Sequence, residues 1–275
     1  MALHSLGSAA NMPGMPPILD NKHPHSPSVF APTALLREAR RQKRLAAIDV
    51  PPLCILDPDG DIVRRLRQTG RAQPFVGWPC YHTDLDAFGV GEKTVGIVGR
   101  AVGAPFAVLV AEELFASGCR FLLSITSAGQ ITPAGQPPYF VIIDRALRDE
   151  GTSYHYAPPA EFSDAEPRLV AAARQAIDRN GLHAVVGTSW TTDAPFRETA
   201  AAIDWARGKG ALAVEMEAAA LYTFARAANK QVLCLAHVTN SMGQTPQDFE
   251  KGEADVAADA LRVLEALAAV LASRR

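Results

Sequence analysis

The amino-acid sequence predicts an α/β fold, a single domain with a largely parallel sheet flanked by helices. Three observations carry that prediction. Short β-branched runs alternate with longer amphipathic segments, the pattern of repeated strand–helix units. The chain has 275 residues, 48% hydrophobic and 20% charged, with no internal repeat or dividing linker, enough for one large core. Finally, polar and sterically special segments follow several of the strands, where such folds hold ligands.

Taken in order, residues 1–30 are rich in Pro, Ser, Gly and His and read as a flexible arm or a strap on a neighbouring subunit, leaving 31–275 as the folded body. "TALLREARRQKRLAAI" has helical periodicity, and Pro51-Pro52 should close it. Strands are expected at 53–57, 94–99, 120–126, 139–144, 183–190, 211–216 and 231–239. Helices are expected at 105–117 and 164–180, closed by Gly118 and Gly181, and at about 198–207, 217–229 and 253–273. "DPDGDIV" hints at a calcium loop, but its glycine is misplaced and Gln68 stands where a bidentate Glu belongs, so it reads as a tight turn.

Composition excludes several functions. A formal net charge of −2 gives no electrostatic case for nucleic acid or an anionic membrane. No apolar run is long enough to span a bilayer, and the N-terminus lacks the basic start and apolar stretch of a signal peptide. Cys54, Cys80, Cys119 and Cys234 are scattered without a CxxC pair, which suits reduced thiols in a cytoplasmic protein. The histidines show no ligand spacing, so no metal is expected; GxGxxG, GxxxxGK[ST] and GxSxG are all absent.

Four polar segments remain at strand ends: "TSAGQI" (126–131), "TTDAPFRET" (191–199), Glu215-Met216-Glu217, and "VTNSMG" (238–243). In "ALAVEMEAAALY" the two glutamates are two apart. That spacing diverges on a helix but shares one side of an extended chain, so a strand running into a helix here would turn both carboxylates to one ligand. A helix start with acids near its positive end is the simpler alternative.

"AVEMEAAALY" resembles the signature helix of the nucleoside phosphorylase superfamily, which includes uridine phosphorylase, purine nucleoside phosphorylase and methylthioadenosine nucleosidase. In the same order, "VGRAVGAPFAVLVAEELFASGC" is similar to its Gly-x-Gly-x-Pro turn and "SITSAGQI" to its phosphate loop. "ALRDEGTSYHY" and "TTDAPFRE" are similar to segments closing over ribose and base. Over roughly residues 50–270 the resemblance implies a three-layer α/β/α domain with a mixed, mostly parallel sheet. It also implies a homo-oligomer (dimer, trimer or hexamer) and cleavage of a nucleoside's N-glycosidic bond, with no cofactor and with phosphate as co-substrate. Glu217 is then expected on the ribose diol, with Glu215 supporting and Met216 beneath the sugar; Phe196 (or Trp190) would stack on the base and Arg197 bond its carbonyl.

The chain departs from the family's pattern. The family's two phosphate arginines fall on Ser124 and Gly60, leaving Thr126, Ser127 and the amides around Ala128 and Gly129, with Arg64, Arg100 or His82 as replacement cations. The Ser-Asp pair whose acid protonates a purine is here Thr239-Asn240. A carboxamide hydrogen-bonds but delivers no proton, which favours an oxo-purine or pyrimidine, with Asp193 as a substitute acid. Ribosyl transfer to phosphate is the leading expectation; a phosphate-independent nucleosidase and a non-catalytic nucleoside-binding protein are the alternatives.

Overall fold

The computed structural model describes residues 16–240 and 256–271. In chain order its elements are α1 (Pro32–Lys43), β1 (Leu53–Asp57), α2 (Asp61–Gln68), β2 (Ala72–Pro74), β3 (Asp86–Val90), β4 (Lys93–Gly99), α3 (Ala104–Ala116), β5 (Phe121–Gln130) and β6 (Tyr139–Asp149). There follow β7 (Phe162–Asp164), α4 (Pro167–Arg179), β8 (Ala184–Thr192), α5 (Ala200–Gly208), β9 (Ala211–Glu215), α6 (Ala218–Ala227), β10 (Gln231–Asn240) and α7 (Val256–Leu271).

Strands β1, β5 and β10 lie side by side and parallel, and are buried at nearly every position because both their faces are covered. Cys54, Leu122, Val232 and Cys234 point into one core, with α3 and α6; Leu53, Ile55, Leu123, Leu233 and Leu235 point into the other, with α2, α4 and α7. The result is three layers, helix–sheet–helix. The alanines of α6 let that helix lie close against the sheet, and every residue from Ala218 to Ala225 is buried.

Beyond β1 the sheet continues through β4, β3 and β2. On the other side it closes: β10 pairs with β6, β6 with β8, β8 with β9, and β9 returns to β5, a ring of five strands. Among the described residues five strand pairs are parallel and five antiparallel, the parallel ladders being longer. The sheet is therefore mixed, more so than the strand–helix alternation suggested.

Other expectations need adjusting. Helix α1 ends at Lys43, where Arg44 takes a left-handed conformation (φ 55°), well before Pro51. The turn in "DPDG" is present, Gly60 N–H donating to the Asp57 carbonyl at 2.9 Å, but it opens directly into α2. "SAGQ" is the end of strand β5 and not a loop. Trp190 is core, its indole N–H donating to Asp149. All four cysteines are buried thiols. Among the described residues no helix is long and apolar enough to cross a membrane, and no cluster of metal-ligating side chains occurs.

Candidate active site

The carboxyl ends of β1, β5, β9 and β10 converge on one cavity of about 630 Å³. Convergence follows from the ring: β9 meets β5 antiparallel over two residue pairs only, Gly129 with Val214 and Gln130 with Ala213, so the ends of both strands face one space. The wall holds Asp59, Thr126, Ser127, Ala128, Gly129, Glu215, Met216, Glu217 and Asn240, with Pro195, Phe196 and Glu198 at one side.

The two glutamates share this wall but have different duties. Glu215 ends β9. One of its oxygens accepts from the Glu217 and Ala218 amides, both at 2.7 Å, and the other from the Ser189 and Thr191 hydroxyls at 3.0 and 2.5 Å. It thus caps α6 from the preceding strand, with both oxygens bonded inside the protein. Both oxygens are thus already engaged by the chain itself, one of them on the backbone N–H of Glu217.

Glu217 stands at the start of α6 and is only 1% exposed. Its Oε1 accepts the Gly103 N–H at 2.7 Å, while Oε2 has no hydrogen-bond partner among the described residues. Gly103 offers that N–H from a conformation (φ 87°) that side-chain-bearing residues rarely adopt. Burial, and then the neighbouring Glu215, push the Glu217 carboxyl up to about 8, the Gly103 amide pulling the other way. A buried, unsatisfied acceptor facing a cavity is arranged for a donor that arrives from outside.

Met216 is half-buried in the wall, near Gly103. Asn240 reaches the cavity through a bulge in the β10–β5 register between Val238 and Asn240, which re-aims the strand's last residue. Residues 241–243 of the "VTNSMG" segment lie outside the described residues. Phe196 is 99% exposed at the cavity's rim, in a position to cover a flat ligand. Glu198 beside it, which sequence reasoning missed, is half-buried, and burial pushes its carboxyl up to about 7.

Several expected residues are not brought here. Arg64, 58% exposed and paired with Asp61 at 2.7 Å, faces a separate depression of about 310 Å³ together with Arg100 and His82. Arg197 is exposed and outside the cavity wall. Asp193 accepts the Gly151 N–H at 2.8 Å and borders a different, apolar pocket with Ile18 and Phe30. Ser124 is buried within β5, away from the cavity. Gly60 cannot regain an arginine cheaply, since a Cβ there would come within 2.9 Å of the Arg100 Cγ, and its φ is 76°. Asp59 was the second omission; its carboxylate accepts the Ser127 N–H and hydroxyl, each at 2.7 Å.

Against known families, the model described as "Phosphorylase superfamily" matches residues 52–271. The chain belongs to the phosphorylase superfamily. Among its relatives, a DeoD-type purine nucleoside phosphorylase of Exiguobacterium sibiricum is 33% identical over 140 residues, and one of Bacillus cereus is 31% identical over the same length. Each match spans 48% of this chain and 57% of the relative, so the chain matches only a little over half the length of these relatives. Two solved superfamily structures share the fold. Purine nucleoside phosphorylase from Toxoplasma gondii, in complex with immucillin-H, has a TM-score of 0.73 at 16% identity, covering 83% of this chain and 94% of that one. Uridine phosphorylase from Vibrio fischeri has 0.69 at 22%, covering 82% and 95%.

Proposed function

We propose that this chain cleaves the N-glycosidic bond of a ribonucleoside. The observation that carries the reading is Glu217: a buried carboxyl with one oxygen lacking a partner among the described residues, in a cavity large enough for a nucleoside. Superfamily membership and the names of the relatives support it. A ribose diol brings a hydroxyl donor for the oxygen that has none, and a second that can share the oxygen held by Gly103. As the C1′–N bond breaks, its electron pair leaves with the base and positive charge grows on the sugar, where an ionised Glu217 stabilises it. Met216 lies beneath the sugar; Phe196 stacks on the base, with Asn240 and Glu198 at its polar edge. Ser127, Ala128, Gly129 and Thr126 border the face from which the ribosyl acceptor approaches. Phosphate is the acceptor that the relatives' names suggest, and water is the alternative.

The chain works without a cofactor beyond its co-substrate, in the cytoplasm, as a homo-oligomer, with residues 31–275 as the catalytic domain and 1–30 as an arm. Four buried thiols support the reducing compartment. The test is base release from a panel of purine and pyrimidine nucleosides, with and without phosphate. Wild type should release base, and Glu217→Gln should lower kcat/KM by roughly 10²–10³-fold, the scale of losing one oriented electrostatic partner. Unchanged turnover in the variant removes Glu217 from the chemistry.

A further inference from the structure

The end of the cavity where an acceptor must sit is already engaged by the protein's own carboxylate. Asp59 follows the first strand on a tight turn, and Ser127 lies near the end of β5, its parallel neighbour. The two Asp59 oxygens take the two Ser127 donors in parallel, Oδ2 from the backbone N–H and Oδ1 from the hydroxyl, each at 2.7 Å. These are short, charge-assisted bonds in a two-point geometry that a phosphate would otherwise use. A phosphate arriving here must displace Asp59 from both donors and lie beside its charge.

The surroundings add to the effect. The described cavity wall carries the carboxyls of Asp59, Glu198, Glu215 and Glu217, and no lysine, arginine or histidine. Asp59 also contributes to the raised pKa of Glu217, which places its charge near the sugar end of the cavity. Gly60, the next residue, has a left-handed conformation (φ 76°) that strains any side chain placed there, and the Arg100 stem lies over it. A dianion would have to take both Ser127 donors away from Asp59, whereas water can sit beside the pair and leave it intact.

We infer that Asp59 is a built-in anion occupying the acceptor site in place of phosphate, so that the ribosyl group is transferred to water. The inference rests on the glycosidic-cleavage reading above. The water oxygen bonds to C1′ as the C1′–N bond breaks. The oxygen keeps one hydrogen as the sugar's new hydroxyl, and the other proton replaces C1′ on the base nitrogen. Nucleoside plus water thus gives free base plus ribose, with no other reactant.

Two measurements on the full chain decide it. Base and sugar products are followed from a nucleoside panel in phosphate-free buffer and again with millimolar inorganic phosphate. Expected are base and free ribose in equal amounts, with rates within about twofold in the two buffers. Ribose 1-phosphate formed in proportion to added phosphate overturns the role of Asp59 and leaves the cleavage reading standing. No base release under either condition sinks the cleavage reading instead. The second measurement needs no turnover: calorimetric titration of wild type, Asp59→Asn and Asp59→Ser with inorganic phosphate. Wild type should bind no phosphate at millimolar concentration, and the variants, folded by circular dichroism, at least about tenfold more tightly. Millimolar binding by wild type, or no gain in either folded variant, overturns the proposal.

Discussion

Glu217 shows what a carboxyl buried beside a cavity demands of the fold around it. Its pKa of about 8 in the folded chain, against 4.5 as the ordinary value, means that the native state holds the proton more tightly than the unfolded state does. Stability is therefore greatest below the unfolded value and declines as pH rises from about 4.5 to about 8, where the group has ionised in both states. Glu217→Gln cannot ionise, so its melting temperature relative to wild type should climb between pH 5 and pH 8.5, by several degrees at the upper end. A difference that stays flat across that range argues against the buried, proton-holding state. The proposed role of Glu217 predicts that the same variant loses activity, so that its stabilisation and its inactivity would have one origin. At this scale the sequence is informative about Glu217, because a strand followed by a helix can be read from "ALAVEMEAAALY". It is silent about the Asp59–Ser127 pair, whose members stand 68 residues apart and meet only through the parallel pairing of β1 with β5. Glu198 was equally hidden: nothing in "FRET" says that its carboxyl is half-buried while Arg197 points away.

At the scale of elements, the start of α6 is the most heavily engineered junction in the site. A single side chain from the preceding strand satisfies two helix amides and two hydroxyls, one of which, Thr191, also receives the Ala219 N–H at 2.9 Å. Glu215→Ala would leave these buried donors unpaired and should destabilise the chain by on the order of 3 kcal/mol, measured by denaturant unfolding. A loss below about 0.5 kcal/mol would mean that water replaces the carboxylate and that the cap is dispensable. The long apolar strands and amphipathic helices were legible, since period and length suffice for them. The short ones were not. "AQP" and "FSD" become β2 and β7 by pairing with β3 and β6, and have no periodicity of their own. Helix α2 is concealed by its arginines: Arg67, whose pairing with the buried Asp86 helps fix it, reads in sequence as surface charge.

For the whole molecule, alternation of strands and helices correctly announces three layers but not the closure of five strands into a ring, because closure depends on which edges meet. The order of those strands has a consequence for how the chain comes into being. The last strand among the described residues, β10, occupies a slot between β5 and β6, which are made some hundred residues earlier. Until residues 231–240 emerge, β5 and β6 each present an open backbone edge and the two cores lack a wall, so native pairing has to wait until the chain has been made past residue 240. A fragment ending at residue 230 should accordingly show no cooperative melting transition. If that fragment unfolds cooperatively, assembly proceeds from the N-terminal strands outward. If it does not, the interval before residues 231–240 are made is when the nascent protein is most exposed to aggregation and most in need of a chaperone.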